Sequence, residues 1–197
     1  MVHRVPRGGH VPVCLERRAP AARQPASLSA CPSITHGHGD RIPHEIERKF
    51  LVHVDALPPE ARTGGASFAQ GYLATAPTVR VRLADGGTDR ARAWLTIKGP
   101  GLVTRSEFEY AIPPADAEAM LGLCRTSLSK IRREVRVGNH VWEVDEFSGA
   151  HAGLWLAEIE LDHEGEAFER PAWLDREVTT DARYSNSALA QAGASPR

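Results

Sequence analysis

The stretch Glu45-Ile46-Glu47-Arg48-Lys49-Phe50 decides how the rest of the chain is read. In an extended strand successive side chains point to opposite faces. Glu45, Glu47 and Lys49 therefore share one face, and Ile46, Arg48 and Phe50 share the other. The same two-residue period recurs downstream. Arg80 and Arg82 oppose Val79, Val81 and Leu83, and Thr96 and Lys98 oppose Leu95 and Ile97. Arg105, Glu107 and Glu109 oppose Phe108 and Tyr110, and Lys130 and Arg132 oppose Ile131 and Val135. Glu143 and Asp145 oppose Trp142 and Val144, and Glu158 and Glu160 oppose Ile159 and Leu161.

These runs predict strands near 45–53, 67–74, 78–84, 91–98, 103–111, 128–137, 140–147 and 154–162. Gly86-Gly87 and Gly138-Asn139 read as hairpin turns. One helix interrupts the series at about 114–123. Pro113-Pro114 starts it, Asp116 and Glu118 suit its first turn, and Ala117, Met120, Leu121 and Cys124 give it an apolar stripe. Two short helices are expected near Pro171–Asp175 and Asn186–Gln191. Eight strands joined mainly as hairpins predict a mainly β (α+β) fold, an eight-stranded antiparallel barrel with a few flanking helices.

A sheet with one wet face also alternates, so alternation alone is ambiguous. The sorting of signs decides. Acids dominate the first, fifth, seventh and eighth strands, and bases dominate the third, fourth and sixth. A merely solvated face would mix signs, because like neighbours repel. Carboxylates two residues apart on one face call for a cation between them, and oxygen donors suit Mg²⁺ or Mn²⁺ better than zinc. Arg80, Arg82, Lys98, Lys130 and Arg132 form the complementary anion site, since Arg forks match phosphate oxygens. Carboxylate-held metal beside clustered cations is the arrangement phosphoryl transfer needs.

The remaining features set bounds. The 197 residues suffice for one well-packed domain. Net charge is −1, but residues 1–43 sum to +4 and the rest to −5. An acidic domain is a poor nonspecific nucleic-acid binder. Residues 1–43, rich in Pro, Gly, Ala and Arg, read as a disordered basic extension, and His36 and His38 lack companions to complete a metal site. No apolar run spans a membrane. Cys14, Cys31 and Cys124 form no disulfide framework, so a reducing cytoplasm is expected.

The ordered motifs resemble a known family. Glu45-Ile46-Glu47-Arg48-Lys49 is followed by Gln70-Gly71-Tyr72-Leu73, Arg80-Val81-Arg82, Thr96-Ile97-Lys98-Gly99 and Glu107-Phe108-Glu109. Lys130-Ile131-Arg132, Trp142-Glu143-Val144-Asp145 and Glu158-Ile159-Glu160-Leu161 come next, then Glu177-Val178-Thr179-Thr180-Asp181 and Arg183-Tyr184-Ser185-Asn186. This series resembles the CYTH family of triphosphate tunnel metalloenzymes, named for class IV adenylate cyclase and thiamine triphosphatase. It looks most like the small bacterial members acting on inorganic tripolyphosphate.

The resemblance covers about 44–192 and implies a tunnel enclosing a small-molecule triphosphate substrate. It implies metal ligation, by two Mg²⁺ or Mn²⁺ ions, from Glu45, Glu47, Glu107, Glu109, Asp145, Glu158 and Glu160. It implies phosphate contacts from Lys49, Arg80, Arg82, Lys98, Lys130 and Arg132. Catalytic roles fall to Lys49 and Lys98, with Tyr72 and Tyr184 orienting water or substrate. The expected reaction is hydrolysis of tripolyphosphate to pyrophosphate and phosphate. No membrane or nucleic-acid partner is indicated, and a homodimer is compatible with the pattern. The rival readings are an adenylate cyclase, a thiamine or nucleoside triphosphatase, and, in a different class, a noncatalytic polyphosphate- or nucleotide-binding module. The acids speak against the last, since pure anion binding gains nothing from carboxylates.

Overall fold

A computed structural model describes residues 44–192, 195 and 196. The reading of residues 1–43, including His36 and His38, lies outside the described residues. Eight strands form the frame: β1 (His44–Val52), β2 (Ala66–Thr75), β3 (Thr78–Ala84), β4 (Arg92–Lys98), β5 (Thr104–Ile112), β6 (Thr126–Val137), β7 (His140–Phe147) and β8 (Trp155–Glu160). Their order is β5-β4-β3-β2-β6-β7-β8-β1, all pairs are antiparallel, and a β1–β5 pairing closes the ring. The expected eight-stranded antiparallel barrel is therefore present.

The closing seam is short. Only His44, Glu45 and Ile46 of β1 pair with β5, opposite Ser106, Arg105 and Thr104. Past Glu47, whose N–H donates to the Val103 carbonyl, that edge of β1 is taken over by a ninth strand, β9 (Leu174–Glu177). The short helix expected near Pro171–Asp175 is replaced by a turn, in which the Leu174 N–H donates to the Pro171 carbonyl, and by this strand. The open edge of β1 supplies the partner that tips so short a segment into strand. Elsewhere the chain turns as expected. Val137 faces His140 across Gly138-Asn139, and Gly138 has the positive φ (+58°) such a two-residue hairpin requires.

The barrel is polar inside and apolar outside. Phe50, Trp142, Val144, Ala157 and Ile159 point outward and are covered by Leu57, Ala61, Leu161 and Trp173. Trp142 meets Phe50, Phe168 and Trp173 edge-on at centroid distances of 5.5–5.7 Å. On the other flank α1 (Pro114–Leu121) seats Ala117 against Val81, Leu83 and Ala93. Gly71 in β2 leaves room for Cys124: a Cβ there would lie 2.7 Å from its sulfur.

A third apolar group sits on the inward face. Leu128, Phe147 and Leu156 pack with Val178, Tyr184 and Leu189, the last from α2 (Asn186–Gln191). These strand positions lie at one end of the barrel, where β6 and β8 begin and β7 ends. That end of the lumen is thus filled, and the polar side chains occupy the remainder. None of the described helices is long and apolar enough to cross a membrane.

Candidate active site

The charged faces read from the sequence meet in one cavity of about 430 Å³. Glu45, Glu47 and Lys49 enter from β1, Arg80 and Arg82 from β3, and Lys98 from β4. Arg105, Glu107 and Glu109 enter from β5, Arg132 from β6, Glu143 from β7, and Glu158 and Glu160 from β8. Strand register sets the neighbours: Lys98 stands opposite Glu107, Lys49 opposite Glu158, and Arg132 opposite Asp145.

Most of these groups are knit into ion pairs. Lys98 Nζ lies 2.8 Å from both Glu45 and Glu107. Lys49 Nζ lies 2.7 Å from Glu158 and 3.1 Å from Glu47. Arg105 reaches Glu45 at 3.0 Å and Glu47 at 3.4 Å. Arg82 donates to both oxygens of Glu109, and Thr96 donates to the same carboxylate at 2.8 Å. Arg132 pairs with Asp145, Glu143 and Glu158.

The pairing leaves an imbalance that favours incoming ions of both signs. Burial pushes the Glu47 carboxyl up, and Glu158 pushes it further, more than Lys49 pulls it back. Glu158 goes the other way. Burial would raise it, but Lys49, Lys130 and Arg132 outweigh burial and hold it well below the usual range. Burial and then Glu45, Glu107, Glu143 and Glu47 raise Glu160. Carboxylates that repel one another while facing a cavity suit a divalent cation. On the anion side, six Lys or Arg side chains line the same cavity, and the buried Nε groups of Arg80 and Arg82 have no hydrogen-bond partner within the protein.

Matches to known proteins agree with this geometry. Residues 43–191 match the CYTH domain family model. The chain belongs to the CYTH family. Its CYTH relatives include an inorganic triphosphatase of Acetivibrio thermocellus, 41% identical over 74% of this chain and 92% of that protein. Another inorganic triphosphatase, from Nitrosomonas europaea, is 36% identical over 74% of this chain and 96% of its own length. A crystal structure of the inorganic triphosphatase NE1496 superposes with a TM-score of 0.53 at 30% identity, covering 78% of this chain and 98% of that one.

Not every residue expected at this CYTH site faces the cavity. Lys130 and Asp145 lie behind its wall, paired with each other, 2% and 0% exposed. Both Asp145 oxygens accept hydrogen bonds from Lys130 and Arg132. Burial and then Arg132 pull the Lys130 ammonium down to about 8. Tyr184 does not line the cavity: it belongs to the apolar group filling the barrel end, and its hydroxyl accepts from Arg176 at 3.3 Å. Tyr72 does line the cavity. Its hydroxyl accepts from Gln70 at 2.8 Å, and burial pushes its pKa to about 12.

Other side chains join the lining. Glu143 takes the cavity position on β7 in place of Asp145, and Arg105 lines the cavity from β5. Ser185, Asn186 and Ser187 enter from the start of α2, with Asn186 Oδ1 buried and unpaired. No sequence periodicity marks these three, because they sit at a turn into a six-residue helix.

Proposed function

We propose that this protein is an inorganic triphosphatase, hydrolysing tripolyphosphate to pyrophosphate and phosphate. One observation carries the reading: a single closed-barrel cavity is lined by seven carboxylates and six Lys or Arg side chains. The names and near-complete overlap of the two relatives support it. Lys49, Arg80, Arg82, Lys98, Arg105 and Arg132 would hold the phosphoryl oxygens and stabilise the leaving pyrophosphate. Lys130 would act from behind, fixing Asp145 and through it Arg132.

Glu45, Glu47, Glu107, Glu109, Glu158 and Glu160 would hold Mg²⁺ or Mn²⁺, two ions in our reading. The donor set fits, being all oxygen and partly self-repelling. Among the described residues no three acid, His or Cys side chains converge on one point, so ligation requires carboxylates to leave their Lys and Arg partners. The metal supplies charge neutralisation and an oriented water. Tyr72, protonated at neutral pH, would donate its hydroxyl hydrogen to substrate or water. On cysteine usage we place the enzyme in the cytoplasm.

Purified protein should release phosphate from tripolyphosphate with Mg²⁺ or Mn²⁺, faster than from ATP or thiamine triphosphate, and excess chelator should stop it. Cyclic AMP as the main product from ATP, or undiminished turnover in chelator, overturns the proposal.

A further inference from the structure

The segment Glu177–Asp181 was singled out in the sequence, yet none of its residues lines the cavity. Its contacts lie on the open edge of β1. Beyond Ile46 that edge has lost β5, so the backbone of Lys49 has no barrel partner there. The strap supplies one: the Lys49 N–H donates to Thr179 Oγ1 at 3.0 Å, and the Val178 N–H donates to the Lys49 carbonyl at 2.8 Å. Thr179 in turn donates to Glu177 at 2.7 Å, and Glu177 takes both Nε and Nη2 of Arg48 at 2.6 and 2.5 Å.

The outward side chain of Arg48 and both backbone groups of Lys49 are thus held by one chain of hydrogen bonds. On the other side of the strand, Lys49 Nζ stands between Glu47 and Glu158. Lys49 lies between Ile46, the last residue of β1 paired with β5, and Phe50, the first paired with β9. We propose that Thr179 and Glu177 are positioning residues, which fix the rotation of β1 and so place the Lys49 ammonium between Glu47 and Glu158. This rests on the reading of the cavity as the triphosphate site. Val178 is buried in the apolar group at the barrel end, so the strap is itself anchored.

Thr179→Val keeps the shape and removes the hydroxyl; Thr179→Ser restores it; Glu177→Gln keeps the shape and removes the charge that orients Arg48 and Thr179. The ¹⁵N resonance of Lys49 Nζ and the hydrogen exchange of its amide would be read in each, together with kcat and KM for tripolyphosphate. Thr179→Val is expected to shift the Nζ resonance, speed the amide exchange and lower kcat on the order of tenfold, short of the hundredfold that a 1 Å misplacement can cost. Glu177→Gln should do the same to a smaller degree, and Thr179→Ser should return all readouts to the parent values. Unchanged Nζ and amide signals in a folded Thr179→Val, whatever its activity, overturn the positioning role. If Thr179→Val does not fold, Glu177→Gln decides by the same readouts. A moved Lys49 in a protein whose parent form turns over no triphosphate leaves the positioning intact and removes the proposed function instead.

Discussion

Replacing Asp145 by Asn separates two meanings of a carboxylate on the charged face. Asp145 is fully buried, and Lys130 and Arg132 share its two oxygens. Asn keeps the shape but leaves the buried Lys130 without its anion and takes one of three carboxylates from Arg132. Breaking a buried ion pair in this way costs about 3–5 kcal/mol. At about 1.4 kcal/mol per factor of ten, the folding equilibrium moves by roughly two to three and a half orders of magnitude. With a urea dependence of about 2 kcal/mol/M, the unfolding midpoint should fall by about 1.5–2.5 M. A carboxylate that merely faced other carboxylates, awaiting metal, would behave oppositely: neutralising it would relieve repulsion and stabilise the metal-free protein. The sign alone therefore distinguishes them. Lys130→Met made together with Asp145→Asn should cost less than the two changes summed, because each removes the other's unpaired charge. Urea denaturation of the two single variants and the double variant, without metal, makes the test. A midpoint shift under about 0.5 M for Asp145→Asn, or strict additivity in the cycle, refutes this account.

The same logic predicts that Glu160→Gln slightly stabilises the metal-free protein at neutral pH, since burial and then neighbouring carboxylates raise its pKa; a lowered midpoint contradicts it. Glu47→Ala should abolish metal-dependent phosphate release while circular dichroism stays native, and parent-level activity would remove Glu47 from the metal site. Arg80→Lys keeps the charge but loses the fork, so KM for tripolyphosphate should rise on the order of tenfold; an unchanged KM removes Arg80 from phosphate binding. The Arg48 hydrogen bonds hold the Glu177 carboxyl below its ordinary 4.5. Its stabilisation is therefore complete above that value and is lost as pH falls through the lower folded pKa. In urea titrations across that acid range, Glu177→Gln should show a flatter decline than the parent, and a parallel decline sinks the assignment.

How much of this was legible in the sequence depends on what alternation encodes. A period of two fixes which face a side chain occupies, so the inward set Glu45, Glu47, Lys49, Arg80, Arg82 and Lys98 could be read without coordinates, and so could the barrel. It does not encode height along the barrel. Glu143 and Asp145 have the same parity on β7, yet one lines the cavity and the other is sealed behind it. The difference is set by Lys130, which stands one level nearer the apolar filling and lies 5.7 Å from the Phe147 ring centroid. Leu128, Phe147 and Leu156 share the charged parity, and only their clustering at one end of three different strands shows that this end of the lumen is filled. Neighbours across strands decide such matters, and a single strand's text does not contain them. The same limit explains β9. Leu174-Asp175-Arg176-Glu177 is too short to show a period, and Pro171 resembles a helix start. What makes it a strand is the edge of β1 that β5 abandons after Ile46. That departure is also what exposes the backbone of Lys49 and requires Thr179 to hold it. The misread element and the unassigned motif thus have one physical origin, a barrel seam three residues long, and the C-terminal segment is the part of the chain that compensates for it.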